Sequence, residues 1–168
     1  LAFASRRDGN LEVYVRDAAG MQRRVTAQPS EEWAPCWSPD GSRLAYQSDR
    51  NGQSDVYVAA LDGTGETRLT PVVGNHEAPD WSSDGRTFVF DSDQETAGAV
   101  AASISLYLMD ADGSRHRPLV ANAESPRWSP DGEQIAFTSR RSGRWQVYVV
   151  NAGGSGARAF STAALNSA

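Results

Sequence analysis

Lysine is absent from this chain of 168 residues, histidine occurs twice and cysteine once. A single cysteine, Cys36, rules out an internal disulfide and leaves the redox compartment open. Beside Trp37 in a short apolar stretch it reads as an inert buried thiol. The 16 basic residues are all arginine and face 21 acidic ones, for a net charge of −5. A phosphate-backbone partner would want a basic face, so nucleic acid is not an expected partner. No run of 18 apolar residues is present, so membrane insertion is not expected either. With only His76 and His116, and no Gly-x-Ser-x-Gly elbow, the chain offers little for nucleophilic catalysis. The acidic residues single out no catalytic pair, and the expectation is a non-enzyme. Long helical periods are missing too, while 15 Gly and 8 Pro supply turns.

What is there is a phrase said three times. Trp37-Ser38-Pro39-Asp40-Gly41 returns as Trp81-Ser82-Ser83-Asp84-Gly85 and as Trp128-Ser129-Pro130-Asp131-Gly132, with spacings 81 − 37 = 44 and 128 − 81 = 47. After each comes an alternating apolar run, Arg43-Leu44-Ala45-Tyr46, Thr87-Phe88-Val89-Phe90 or Gln134-Ile135-Ala136-Phe137, and Leu1-Ala2-Phe3 holds the same place at the start. A second run follows: Val13-Tyr14-Val15, Val56-Tyr57-Val58, Leu106-Tyr107-Leu108, Val147-Tyr148-Val149. These β-branched and aromatic triplets between polar residues are strand signals. A third short strand ends in Arg24-Val25-Thr26, Arg68-Leu69-Thr70 or Pro118-Leu119-Val120, and a fourth runs through a proline into the next Trp. In Ser-Pro-Asp-Gly the proline presets φ for the turn and the glycine accepts a positive φ; Ser83 weakens that turn once. The proline two residues before each Trp should sit at a strand's first residue, or where its missing donor is harmless.

A strand-bearing period of 40 to 50 residues is the signature of a β-propeller. The expected class is all-β: four-stranded antiparallel blades, about four repeats, forming a complete or partial ring. One domain is expected over 1–168, with repeats near 1–36, 37–80, 81–127 and 128–168. The repeated Trp is expected to pack between neighbouring blades.

The Trp-Ser-Pro-Asp-Gly phrase, the strand after it, the Ser-x-Arg with its Gly turn, the Tyr-centred strand and Leu-Thr together resemble the TolB-type propeller repeat, over about residues 1 to 160. The family's namesake is the periplasmic component of the Tol–Pal system. The resemblance implies a protein-binding scaffold, periplasmic or secreted, in rings of six blades. Similar repeats also form the gating propellers of prolyl-oligopeptidase-like peptidases, and a small-ligand or glycan binder is a further alternative. With three Trp-bearing strands for four copies of the next two, three readings of the ring stand open. The chain is a piece of a larger propeller, a half-ring that a homodimer completes, or a closed four-bladed ring.

The third repeat carries six extra residues within 93–103, either a tolerated surface loop or a specificity loop. Candidate binding residues lie on the loops before the Trp-bearing strands: Glu31, Glu32, Trp33, His76, Glu77 and Glu124. Trp33 stands where the other repeats have Glu77 and Glu124, an aromatic among acids suited to anchor a partner. Asp49, Asn51 and Asp55 place oxygen side chains at alternate positions, as a calcium loop does, without the glycine and distal glutamate of an EF-hand. Asp8 and Glu12, then Asp93 and Glu95, hold matching positions. The plainer reading is a polar hairpin turn. Channels of similar propellers hold cations, so the resemblance also implies calcium near the repeated carboxylates Glu32, Glu77 and Glu124.

Overall fold

The computed structural model describes residues 1–94 and 103–160. Among them every regular element is a strand, and the strands form four antiparallel sheets in chain order. Sheet 1 holds β1 (Ala2–Ser5), β2 (Glu12–Arg16) and β3 (Gln22–Arg24). Sheet 2 holds β4 (Glu32–Trp37), β5 (Arg43–Ser48), β6 (Asp55–Ala60) and β7 (Thr67–Arg68). Sheet 3 holds β8 (His76–Trp81), β9 (Thr87–Ser92), β10 (Ser105–Asp110) and β11 (Arg117–Ala121). Sheet 4 holds β12 (Glu124–Trp128), β13 (Gln134–Ser139), β14 (Gln146–Asn151) and β15 (Arg158–Ala159). Each Trp closes the first strand of its own sheet. β4, β8 and β12 pack side by side along the axis of the array, so these first strands are the innermost. Sheets 4 and 1 do not close onto each other among the described residues.

Three apolar layers hold the sheets together, one per junction. Val13, Val15 and Val25 meet Leu44, Tyr46 and Tyr57 between sheets 1 and 2. Ala45, Val56, Val58 and Leu69 meet Trp81, Phe88, Phe90 and Tyr107 between sheets 2 and 3. Val89, Leu106 and Leu108 meet Ile135, Phe137 and Tyr148 between sheets 3 and 4. The rule is directional. Alternation along each strand sends the aromatics of a sheet toward the sheet before it and the small aliphatics toward the sheet after it. Trp81 obeys it: buried, with its ring 4.3 Å from Phe88 and the Arg43 guanidinium of sheet 2 at 5.0 Å from its centroid. Trp128 is half-buried in the next junction, as expected of a residue packed between blades, whereas Trp37 departs from the expectation and is exposed.

The turn phrase folds as its residues dictate. Gly41, Gly85 and Gly132 have φ of 69°, 73° and 73°, and the turn with Ser83 in place of proline still closes, Gly85 N donating to Ser82 O at 2.9 Å. The prolines before the Trp do not start their strands. Pro35, Pro79 and Pro126 follow Ala34, Ala78 and Ser125, whose φ are 48°, 47° and 54°, and the pairing register shifts there in all three innermost strands. Each is a β-bulge, where proline's missing donor costs no ladder bond. The bulge aims its own N–H at the preceding sheet: Ala78 N donates to Gln47 Oε1 at 3.1 Å, and Ser125 N to Asp91 Oδ2 at 2.7 Å. These bonds offset the strain of a non-glycine residue at positive φ.

Candidate functional site

Trp33, Glu77 and Glu124 share one register position. Each lies at or next to the start of an innermost strand, paired with Gln47, Asp91 and Thr138 on the second strand of its sheet. The three therefore stand together at one mouth of the axis. Trp33 is half-buried and Glu77 exposed. Partial desolvation by its surroundings, then the negative charges of Asp93 and Glu124, push the Glu77 carboxyl above its ordinary range. Asp91 lies just inside and is raised to about 6, first by burial and then by Glu77 and Glu124, with the Ser125 N–H working the other way. The mouth thus carries one aromatic side chain and a group of carboxylates that sense one another. Such a surface favours a partner that brings positive charge and an apolar contact.

The remaining predicted residues go elsewhere. Glu31 ties sheet 2 to sheet 1: Leu11 N donates to it at 2.8 Å and Arg6 pairs with it at 2.6 Å, which together hold its carboxyl low. Glu32 is fully buried at the same junction. It accepts from Ser30 at 2.5 Å and Ser48 at 2.9 Å, and its Oε2 has no partner among the described residues. Burial raises it to about 7, with the Glu12 carboxyl adding to the rise. His76 is fully buried, its Nε2 at 3.3 Å from Val72 O and its ring edge against Phe90. Burial lowers its pKa.

Asp49, Asn51 and Asp55 do not converge. Asp49 Oδ1 accepts from Glu31 N at 3.0 Å, whereas Asn51 Nδ2 donates to Asp55 at 3.2 Å and to the Tyr57 hydroxyl at 2.6 Å. Asp55 is fully buried and holds Arg68 at 2.9 Å and Thr70 at 3.2 Å. Glu12 repeats this in sheet 1, paired with Arg24 and accepting from Thr26 at 2.6 Å. In sheets 1 and 2 the acid before the Tyr triplet and the Arg-x-Thr at the end of the third strand are thus one structural device. No group of three or more His, Cys, Asp or Glu is arranged for a metal among the described residues. Glu95, like most of the extra residues of the third repeat, lies outside them.

The Ser-x-Arg of the repeat serves a purpose that its spacing alone does not show. Arg7, Arg50 and Arg141 lie 4.4, 4.2 and 4.9 Å from the centroids of Tyr14, Tyr57 and Tyr148, each held by its Nε on Ser5, Ser48 or Ser139. The third repeat has Gln94 instead of the arginine, and there His76 and His116 both set ring edges against Phe90, at 5.7 Å. The motif's departure at Gln94 was the available signal for a different role of these histidines.

Comparison with known proteins places these features. The family model described as the TolB beta propeller domain matches residues 1–104 and 74–167. The Tol-Pal system protein TolB of Bordetella pertussis is 36% identical over 77 residues, 45% of this chain and 18% of that protein. The Tol-Pal system protein TolB of Desulfosudis oleivorans is 40% identical over 62 residues, 36% of this chain and 14% of that protein. The crystal structure of TolB from Acinetobacter baumannii superimposes with a TM-score of 0.80 at 22% identity, covering 94% of this chain and 40% of that one. An oligogalacturonate lyase from Vibrio parahaemolyticus shares the fold alone, with a TM-score of 0.73 at 17% identity over 98% of this chain and 50% of that one. The match therefore spans less than half the length of these TolB proteins.

Proposed function

The chain belongs to the TolB β-propeller domain family, and from that premise we propose that it is a non-enzymatic scaffold that binds a protein of the cell envelope, in the periplasm. The observation that carries the reading is the shared register of Trp33, Glu77 and Glu124 at one mouth of the array. A half-buried indole is a preorganised anchor, and the neighbouring carboxylates select a basic segment on the partner. The two histidines are committed to packing on Phe90 rather than presented to a substrate. The names of the curated relatives point to the Tol–Pal system, so its Pal component is the partner to try first.

The experiment is surface plasmon resonance of purified Pal over the immobilised chain, with Trp33→Ala and Glu77→Gln variants and melting temperatures taken alongside. Trp33→Ala is expected to weaken binding about tenfold or more with the melting temperature held. Glu77→Gln is expected mainly to slow association and to flatten its salt dependence. Unchanged affinity in both variants, or no binding by the parent chain, would reject the reading.

A further inference from the structure

Away from the axial mouth, on the rim formed by the Trp-Ser-x-Asp-Gly turns, a crevice of about 290 Å³ opens between sheets 3 and 4. Ser83, Asp84, Leu108, Arg117, Trp128 and Asp131 line it. It lies at the one departure in the turn phrase. At the junction before it, the Pro39 ring carbons lie 3.9 Å from where a Cβ on Gly85 would stand, so the turns of sheets 2 and 3 meet through an apolar ring. At this junction the equivalent residue is Ser83, and its hydroxyl lies 3.1 Å from the same point on Gly132.

The groups around the crevice are uncommitted. The Ser83 hydroxyl and the Arg117 guanidinium have no hydrogen-bond or ion-pair partner among the described residues. Asp84 and Asp131 each use Oδ1 on a serine, at 2.6 and 2.5 Å, and on a backbone N–H at 3.0 Å, leaving Oδ2 open. Those bonds hold both carboxyls below their ordinary range, so both stay ionised. Two carboxylates repel an anion, and beside these acceptors the lining offers a charged donor, Arg117. A neutral ligand rich in hydroxyls satisfies all of them: its O–H groups donate to the two Oδ2 atoms, and its oxygens accept from Arg117 and Ser83. The Trp128 indole and Leu108 supply an apolar wall for C–H groups, and the volume suits one six-membered sugar ring.

We propose that this crevice is a binding site for a neutral pyranose, read by Ser83, Asp84, Arg117 and Asp131 against the Trp128 indole. The site is independent of the protein-binding mouth.

The test is NMR titration of the ¹⁵N-labelled chain with methyl α-D-glucopyranoside and methyl β-D-galactopyranoside, with inorganic phosphate and calcium chloride as separate arms. The Trp128 indole N–H resonance, assigned with Trp128→Phe, is the reporter. One of the two pyranosides is expected to shift it saturably, with a dissociation constant on the order of 1 mM. Ser83→Pro restores the residue of the other two repeats and removes no hydrogen bond of the Ser83 N–H, so it is expected to fold and to weaken binding at least tenfold. Arg117→Gln is expected to do the same. No saturable shift with either sugar, binding kept in both variants, or a response to phosphate or calcium without one to the sugars would each overturn the proposal.

Discussion

At the residue scale the recurring unit is an arginine over a tyrosine ring, in three of the four sheets. Tyr46 and Tyr57, Phe90 and Tyr107, and Phe137 and Tyr148 are direct cross-strand partners, their rings stacked at 6.1, 5.9 and 5.7 Å. A guanidinium over such a pair caps its open edge, and the Ser Oγ on its Nε fixes the orientation, which a lysine ammonium cannot reproduce. Arg50 is the most engaged, holding Tyr57, Ser48 and Glu66 at once. Arg50→Lys should therefore destabilise the chain by about 1–2 kcal/mol despite keeping the charge. Urea unfolding checks this, with the midpoint falling and the slope unchanged. A loss no greater than that of a surface arginine such as Arg86→Lys would show that the stack contributes nothing. Cys36 illustrates the opposite, a residue with no chemistry: burial, aided by Asp80, pushes its thiol up to about 12.

At the element scale the junction between sheets 1 and 2 contains a charge problem. Glu32 is buried beside Glu12, and its raised pKa means that the folded chain keeps a proton which the unfolded chain loses at about pH 4.5. Between there and about pH 7 the folded state binds more protons, so this group's contribution to stability falls as pH rises. Asp91 slopes the same way over a shorter range, while His76, with its lowered pKa, slopes oppositely. The difference between wild type and Glu32→Gln reports this group together with its interaction with Glu12. Glu32→Gln should be the more stable at pH 8, by on the order of 1–3 kcal/mol, with the gap closing toward pH 5. Equal pH slopes in the two proteins would reject the assignment. This junction also shows what a sequence hides. The Trp phrase, the turns and the Tyr triplets were legible because each is a local pattern of φ preference or strand alternation. Glu32 read as a rim residue because its burial depends on Glu12 and Ser48, which lie on other strands. The bulges were legible only as prolines, because a positive φ at Ala34, Ala78 or Ser125 is a local cost offset by a hydrogen bond to another sheet at two of the three. Trp33, Glu77 and Glu124 were found because register alone brings them together.

At the scale of the whole molecule the directional rule makes the two ends unlike. Val147 and Val149 hold the repeat positions of Val56 and Val58, and the comparison measures what an adjoining sheet does: Val56 is 0% exposed and Val147 47%. At every internal junction such an aliphatic face meets an aromatic one, and the face of that kind left over is Phe3 stacked on Tyr14 in sheet 1. The two end faces are therefore complementary to each other rather than to themselves, which makes any contact between copies head-to-tail. Light scattering of the 168-residue chain over a range of concentrations should show a mass that rises with concentration. Val147→Glu should hold it at the monomer, because a carboxylate placed in an apolar junction costs more than a valine gains there. A second substitution separates this from misfolding: Phe3→Glu, at a half-buried position of the opposite end, should break association equally. An equimolar mixture of the two variants should recover pairs, since each keeps one intact face, and no longer chains. A wild-type mass that stays constant, or a mixture that remains monomeric, would mean that the end faces are covered by something other than a second copy.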